Sequence, residues 1–238
     1  MLTPVLTPVL IDTVLFDLDG TLTDPEVGIT ASYRYALAAV GRPAYDGDLS
    51  WVIGPPLPEN LTLLGGPAQD MSRAADAYRR RHLAVGLYQA ELVPGIAELV
   101  GRLDAAGVRL ALASAKPTVQ GELTLAHFGL AEHFTVIAGD TTPSSLTKAE
   151  IITGALGLLG GPDPARVAMV GDRRHDIAGA AANGVVSVGV AWGFAADGEL
   201  AGADHVVASV AELGRLLGAL AGHELVAAHA GAPSSTGI

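Results

Sequence analysis

Four apolar runs frame the chain. Residues 13–16 (TVLF) stop at Asp17, and residues 108–114 (VRLALAS), 166–172 (RVAMVGD) and 185–192 (VVSVGVAW) repeat the form. Runs this short and β-branched, closed by a polar residue, read as buried parallel strands. Each of the last three follows an Ala/Leu-rich helical stretch, the alternation expected of βα units. Residues 134–140 (FTVIAGD) and 204–209 (DHVVAS) read as further strands. The predicted fold class is α/β, a doubly wound parallel sheet between helical layers.

One connection is too long for that scheme. From the first strand to the helix at residues 94–107 (PGIAELVGRLDAAG) lie roughly 70 residues, where an ordinary crossover needs about a dozen. Inside it, Ile29, Tyr33, Leu37 and Val40 mark one helical face that stops at Gly41-Arg42-Pro43. Leu61 and Leu64 suggest a shorter helix after Gly54-Pro55-Pro56, and residues 69–88 a longer one. No β-like run appears there. The expected organisation is an α/β core of residues 1–23 and 94–222, a small all-helical insert of residues 24–93 and a flexible tail of residues 223–238. The opening, with its repeated LTPV, reads as a loose extension.

Composition narrows the chemistry. The 238 residues are 50% apolar and carry a formal net charge of −11, from 14 lysines and arginines against 25 aspartates and glutamates. A general nucleic-acid or anionic-membrane surface is therefore not expected, and an anionic ligand must be held locally. With no cysteine, thiolate metal sites and cysteine nucleophiles are excluded, which leaves hard cations with oxygen ligands. The apolar opening has no basic leader and is too short and proline-broken to span a bilayer, so the default location is cytoplasmic. Oligomeric state is not readable from these patterns.

Open parallel sheets bind ligands beyond the carboxyl ends of their strands. The residues there are Asp17, Ser114 and Asp172, joined by Asp19 two positions past the first strand, Lys148 opening a helical run, and Asp176 one turn after Asp172. A lone DxD is usually a cap or a turn. Inside FDLDGTLTD the functional reading is stronger, because Gly20 permits close backbone approach and Thr21 adds a donor beside the acids. Asp176 fits a metal shell or, equally, a helix first turn stabilised by the dipole. Lys148 alone would read as a solvated lysine, and Ser114 also fits a cap before the helix that Pro117 introduces. Arg79, Arg80 and Arg81 diverge by about 100° per residue on a helix and cannot share one ligand, so a solvated face is expected, with at most one exception. Gly54 to Leu57 is a helix-breaking turn that, in a lid, could border the substrate.

Taken together, the motifs resemble the haloacid dehalogenase superfamily, in its helically capped branch of phosphoglycolate phosphatases and nucleotidase-like enzymes. FDLDGTLTD is similar to the first motif, LASAKP to the second, Lys148 to the third and VGDRRHDIAGAAANG to the fourth. The resemblance covers about residues 13 to 220 and implies a Rossmann-like core with a cap over the cleft. It further implies a Mg²⁺-dependent phosphomonoesterase acting on a small phosphorylated metabolite. Asp17 would be the nucleophile, and Asp19 the acid that protonates the leaving group and then activates water. Mg²⁺ would be held by Asp17, the Asp19 carbonyl and Asp172, with Asp176 in or just outside the shell. Thr21, Ser114 and Lys148 would bind phosphoryl oxygens, with Lys116 a further candidate. The alternatives are a 5′-nucleotidase-like phosphatase, a sugar phosphomutase or a non-catalytic phosphate-binding protein.

Overall fold

The computed structural model describes residues 10–43, 45–55, 57–65, 70–140 and 146–223. The LTPV repeat, Pro56 and nearly all of the expected tail lie outside the described residues. Six strands form one parallel sheet: β1 (Thr13–Phe16), β4 (Arg109–Pro117), β5 (Phe134–Asp140), β6 (Val167–Gly171), β7 (Val186–Val190) and β8 (His205–Val207). Their order is β5-β4-β1-β6-β7-β8, so β1 is central and the chain winds outward on either side of it. This is the expected doubly wound α/β sheet. Order reverses around β1, which opens a crevice beyond its carboxyl end.

Both faces of the sheet are buried, and the period of two still sorts them. Val14 and Phe16 point to one side, where α4 (Ile96–Ala105) and α8 (Val210–Ala221) cover them with Leu99, Leu103, Leu213 and Leu217. Leu15 points to the other, against Ile151, Ile152 and Ala155 of α6 (Lys148–Leu158) and Ala180 of α7 (Arg174–Asn183). Helix α5 (Thr118–His127) starts directly after Pro117 and belongs to the α4 and α8 side, where Leu125 joins the same apolar cluster. No helix among the described residues is long and apolar enough to cross a membrane.

The long connection corrects one expectation. Two two-residue strands, β2 (Thr23–Asp24) and β3 (Glu91–Leu92), pair antiparallel where the chain leaves and rejoins the core. Two residues are too few to show an alternating pattern, so this ribbon has no signature in the sequence. Asp24 is part of it and also accepts the Glu26 backbone N–H at 2.9 Å, turning the chain into α1 (Glu26–Ala39). Helices α1, α2 (Leu57–Leu63) and α3 (Met71–Ala84) then pack on one another through Ile29, Tyr33, Ala36, Leu61 and Ala74. Here the helical periodicity and the structure agree.

Candidate active site

Every group at the site hangs from the carboxyl edge of the sheet. Asp17 follows β1, with its N–H bound to the Val170 carbonyl at 2.9 Å. Asp172 follows β6, Asp176 occupies the first turn of α7, and Lys148 opens α6 behind the Thr147 and Glu150 capping box. Ser114 lies in β4, just past Ala113, where the register with β5 shifts. Such irregularities re-aim side chains at functional edges.

Asp17, Asp172 and Asp176 are all buried, and each offers a carboxylate oxygen within 4.8 Å of the others. Lys148 Nζ stands 2.9 Å from Asp17 Oδ1 and 2.8 Å from Asp176 Oδ1, and donates to the Ala113 carbonyl at 3.0 Å. Neither carboxylate oxygen has a donor in aligned hydrogen-bonding geometry. Burial alone would lower the Lys148 pKa, but Asp17 and Asp176 outweigh it and hold the ammonium well above the ordinary lysine range. Burial, reinforced by the Asp17 charge, pushes Asp172 up to about 7. Burial raises Asp176 as well, with Lys148 pulling it back.

Three carboxylates against one ammonium leave two negative charges when all are ionised. That excess, an all-oxygen donor set and two oxygens without an aligned donor fit a hard divalent cation.

The neighbouring residues divide into wall and foundation. Asp19, Ser114 and Lys116 line the cavity beside Asp17 and Asp172, and Lys116 Nζ pairs with Asp19 Oδ1 at 2.8 Å. Lys148, Asp176 and Thr21 lie beneath that wall, outside the lining. The Thr21 hydroxyl faces Asp172 Oδ1 at a long 3.4 Å. Gly20 has φ +84°, and a Cβ there would overlap the Asp172 carboxylate. A residue with a side chain would separate the β1 loop from the β6 loop.

The cavity, about 610 Å³, lies between this edge and the helical insert. Tyr33, Ile53, Tyr78 and His82 form much of its far wall. Tyr78 stacks on His82 at 5.3 Å and leans on Tyr33 at 4.6 Å. Gly54, Pro55 and Leu57 also border it, so the turn read from the sequence does reach the site. The three arginines of α3 part as their spacing requires. Arg80 is exposed and Arg79 borders the cavity. Arg81 is the exception to the solvated face, because it turns inward to Ser32 Oγ at 3.0 Å and Gln89 Oε1 at 3.0 Å.

Sequence reasoning passed over Arg173, Phe194 and Asp140, all of which line the cavity. Asp140 closes β5 and could have been found by the strand-end rule. Arg173 sits inside the quoted fourth motif without an assigned task, and Phe194 carried no signal.

Residues 14–190 match the family model described as haloacid dehalogenase-like hydrolase. The chain belongs to this family. It is 44% identical over 183 residues to a tyrosine-protein kinase, PtkA, of Mycobacterium tuberculosis, covering 76% of this chain and 62% of that relative's length. It is 38% identical over 210 residues to a 5′-nucleotidase of Pseudomonas aeruginosa, covering 86% of this chain and 94% of the relative. Among solved structures, a putative phosphatase from Clostridium difficile superposes with a TM-score of 0.80 at 33% identity, over 87% of this chain and 98% of that one. The haloacid dehalogenase-like hydrolase assignment accounts for the sheet order and for the four motifs in sequence, and the chain spans less than two thirds of the length of its kinase-named relative.

Proposed function

We propose that the chain is a Mg²⁺-dependent phosphomonoester hydrolase that works through a phosphoaspartate on Asp17. The observation that carries this reading is the placement of a buried Asp17 at the end of the central strand, ion-paired to Lys148 and within 4.8 Å of two further acids. Asp17, the Asp19 carbonyl and Asp172 would hold the ion, with Asp176 supporting. A carboxylate meeting a phosphate charge at 4 Å is opposed by about 4 kcal/mol per unit-charge pair at an effective dielectric near 20. Bound Mg²⁺ supplies the charge that offsets this opposition.

The chain's own groups do the rest. An Asp17 oxygen forms a bond to phosphorus as the bond to the leaving oxygen breaks, and Asp19 gives that oxygen its proton. Asp19 then takes a proton from water as the water oxygen attacks phosphorus and the Asp17–phosphorus bond breaks. Ser114 and Lys116, on the cavity wall, hold phosphoryl oxygens, while Lys148 fixes the Asp17 carboxylate from beneath.

The cavity favours a nucleotidase-like substrate over a phosphoglycolate-like one. A volume of about 610 Å³ falls in the range that encloses drug-sized ligands. Its far wall is largely apolar and aromatic, which is costly for the carboxylate that a two-carbon acid carries besides its phosphate. The 38% identical 5′-nucleotidase, covered over 94% of its length, supports the same choice.

Asp17→Asn should abolish phosphate release from every substrate while circular dichroism and thermal unfolding report an intact fold. Retained turnover would end this reading. A panel containing phosphoglycolate and nucleoside monophosphates, with and without Mg²⁺, then ranks the substrates.

A further inference from the structure

We propose that Arg173 is a positioning residue that clamps the helical insert onto the core, closing the cavity at its rim and fixing the loop that carries Asp172. The guanidinium reaches across the gap between the two. Its Nη1 donates to the Ile53 carbonyl of the insert at 2.6 Å, while its Nε pairs with Glu199 Oε1 of the core at 2.9 Å. Both partners are largely sheltered, with side-chain exposures of 19% for Arg173 and 6% for Glu199.

Glu199 is a fixed anchor. Its Oε1 also accepts the Arg174 N–H at 3.0 Å and its Oε2 the Ala196 N–H at 2.8 Å. Those bonds and the Arg173 charge outweigh burial and hold its pKa down to about 2. The insert is built to receive the clamp. Gly54 adopts φ +108°, and a Cβ at that position would run into the Arg173 guanidinium. The residue after Ile53 must therefore lack a side chain for the contact to form.

A second contact ties the same loops together. The Phe194 N–H donates to Asp172 Oδ2 at 2.7 Å, and the Phe194 side chain packs against the insert's own apolar cluster with Ile53 and Tyr78. Asp172 is thus flanked, in chain and in space, by two groups that hold the insert. The insert is covalently tethered at the β2–β3 ribbon, and Ile53 lies midway along it. A planar fork with several donors can serve Ile53 and Glu199 at once, whereas a lysine ammonium on a single stem lacks that fixed geometry.

The chain has no cysteine, so spin labels can be placed at will. Leu63→Cys on α2 and Leu158→Cys on α6 are both exposed positions, at 66% and 69%. Pulsed dipolar spectroscopy on this pair should give one narrow distance in the otherwise unaltered chain. Arg173→Gln should broaden and lengthen it, with an open population raised on the order of 10- to 100-fold, the range set by one charge-assisted hydrogen bond. Arg173→Lys should behave like Arg173→Gln. An unchanged distribution in Arg173→Gln, or full restoration by lysine, overturns the clamp, the latter by showing that charge near Asp172 suffices. If Arg173→Gln does not fold, Glu199→Gln replaces it with the same expected broadening and the same overturning result. The kinetic arm rests on the phosphohydrolase reading and expects KM to rise and kcat to fall together. The distance arm needs no turnover, so failure of the clamp and failure of that reading are told apart.

Discussion

Replacing Lys148 with methionine keeps most of the unbranched side chain and removes its charge. The ammonium lies 2.9 Å and 2.8 Å from two carboxylate oxygens, and at an effective dielectric of about 20 each contact is worth about 6 kcal/mol before desolvation. Its removal leaves Asp17, Asp172 and Asp176 within 4.8 Å, where each ionised pair repels by about 3.5 kcal/mol on the same scale. Proton uptake and relaxation absorb part of this, and loss of one partner from a buried ion pair costs about 3–5 kcal/mol in practice. That is a large share of the roughly 5–15 kcal/mol available to a domain. Urea unfolding measured in excess EDTA should therefore show the Lys148→Met midpoint lowered by about 1–2 M. In saturating MgCl₂ the variant should recover more stability than the unaltered protein gains, because its acid cluster carries one more uncompensated charge. A midpoint equal to that of the unaltered protein in EDTA would refute the assignment of Lys148 as internal counter-ion. So would a gain from Mg²⁺ no larger than the parent's.

Two other perturbations test separate parts of the site. His82 is buried, and burial, followed by the nearby Lys116 and Arg81 charges, lowers its pKa to about 3. The unfolded chain binds a proton below about pH 6.5 that the fold refuses until about 3, so this residue costs about 1.4 kcal/mol of stability per pH unit as pH falls through that window. His82→Gln should flatten the urea midpoint between about pH 7 and 5 relative to the parent, and an equally steep profile would show that His82 protonates freely in the fold. Gly20→Ala should lower stability by about 1–3 kcal/mol and turnover with it, since the left-handed backbone is strained and the new methyl displaces Asp172. Unchanged thermal unfolding and unchanged turnover in that variant would mean that the two loops are not in contact.

What was legible in the chain follows from the length scale of each feature. Residues 13–16 and 167–171 announce themselves because burial on both faces makes every position but Thr13 apolar, and the acids after them stand out against that background. Strand β4 runs on to Pro117, past the point where apolar character ends, because Ser114 and Lys116 face the site and the core no longer dictates their identity. The β2–β3 ribbon left no trace because two residues have no period. Arg173 was invisible for a different reason. Its partner on the insert is the Ile53 carbonyl, a backbone group that any residue type could supply. Likewise, Tyr33 reads as an ordinary position on α1, and only the packing of α1 on α3 brings it against the Tyr78 and His82 pair, which stack one turn apart within α3.

The paired strands at the root of the insert bear on how such a chain changes over time. Thr23 is opposite Leu92 and Asp24 opposite Glu91, so the chain departs and returns one strand spacing apart, about 5 Å. A segment whose two ends already meet imposes no span that its contents must bridge. Residues 25–90 can be lengthened, shortened or replaced without altering the register of β1 against β4 and β6. Natural variation can thus rewrite what the cavity admits while leaving untouched the edge where the acids stand. Only a side chain reaching across, as Arg173 does, obliges the two halves to drift in step.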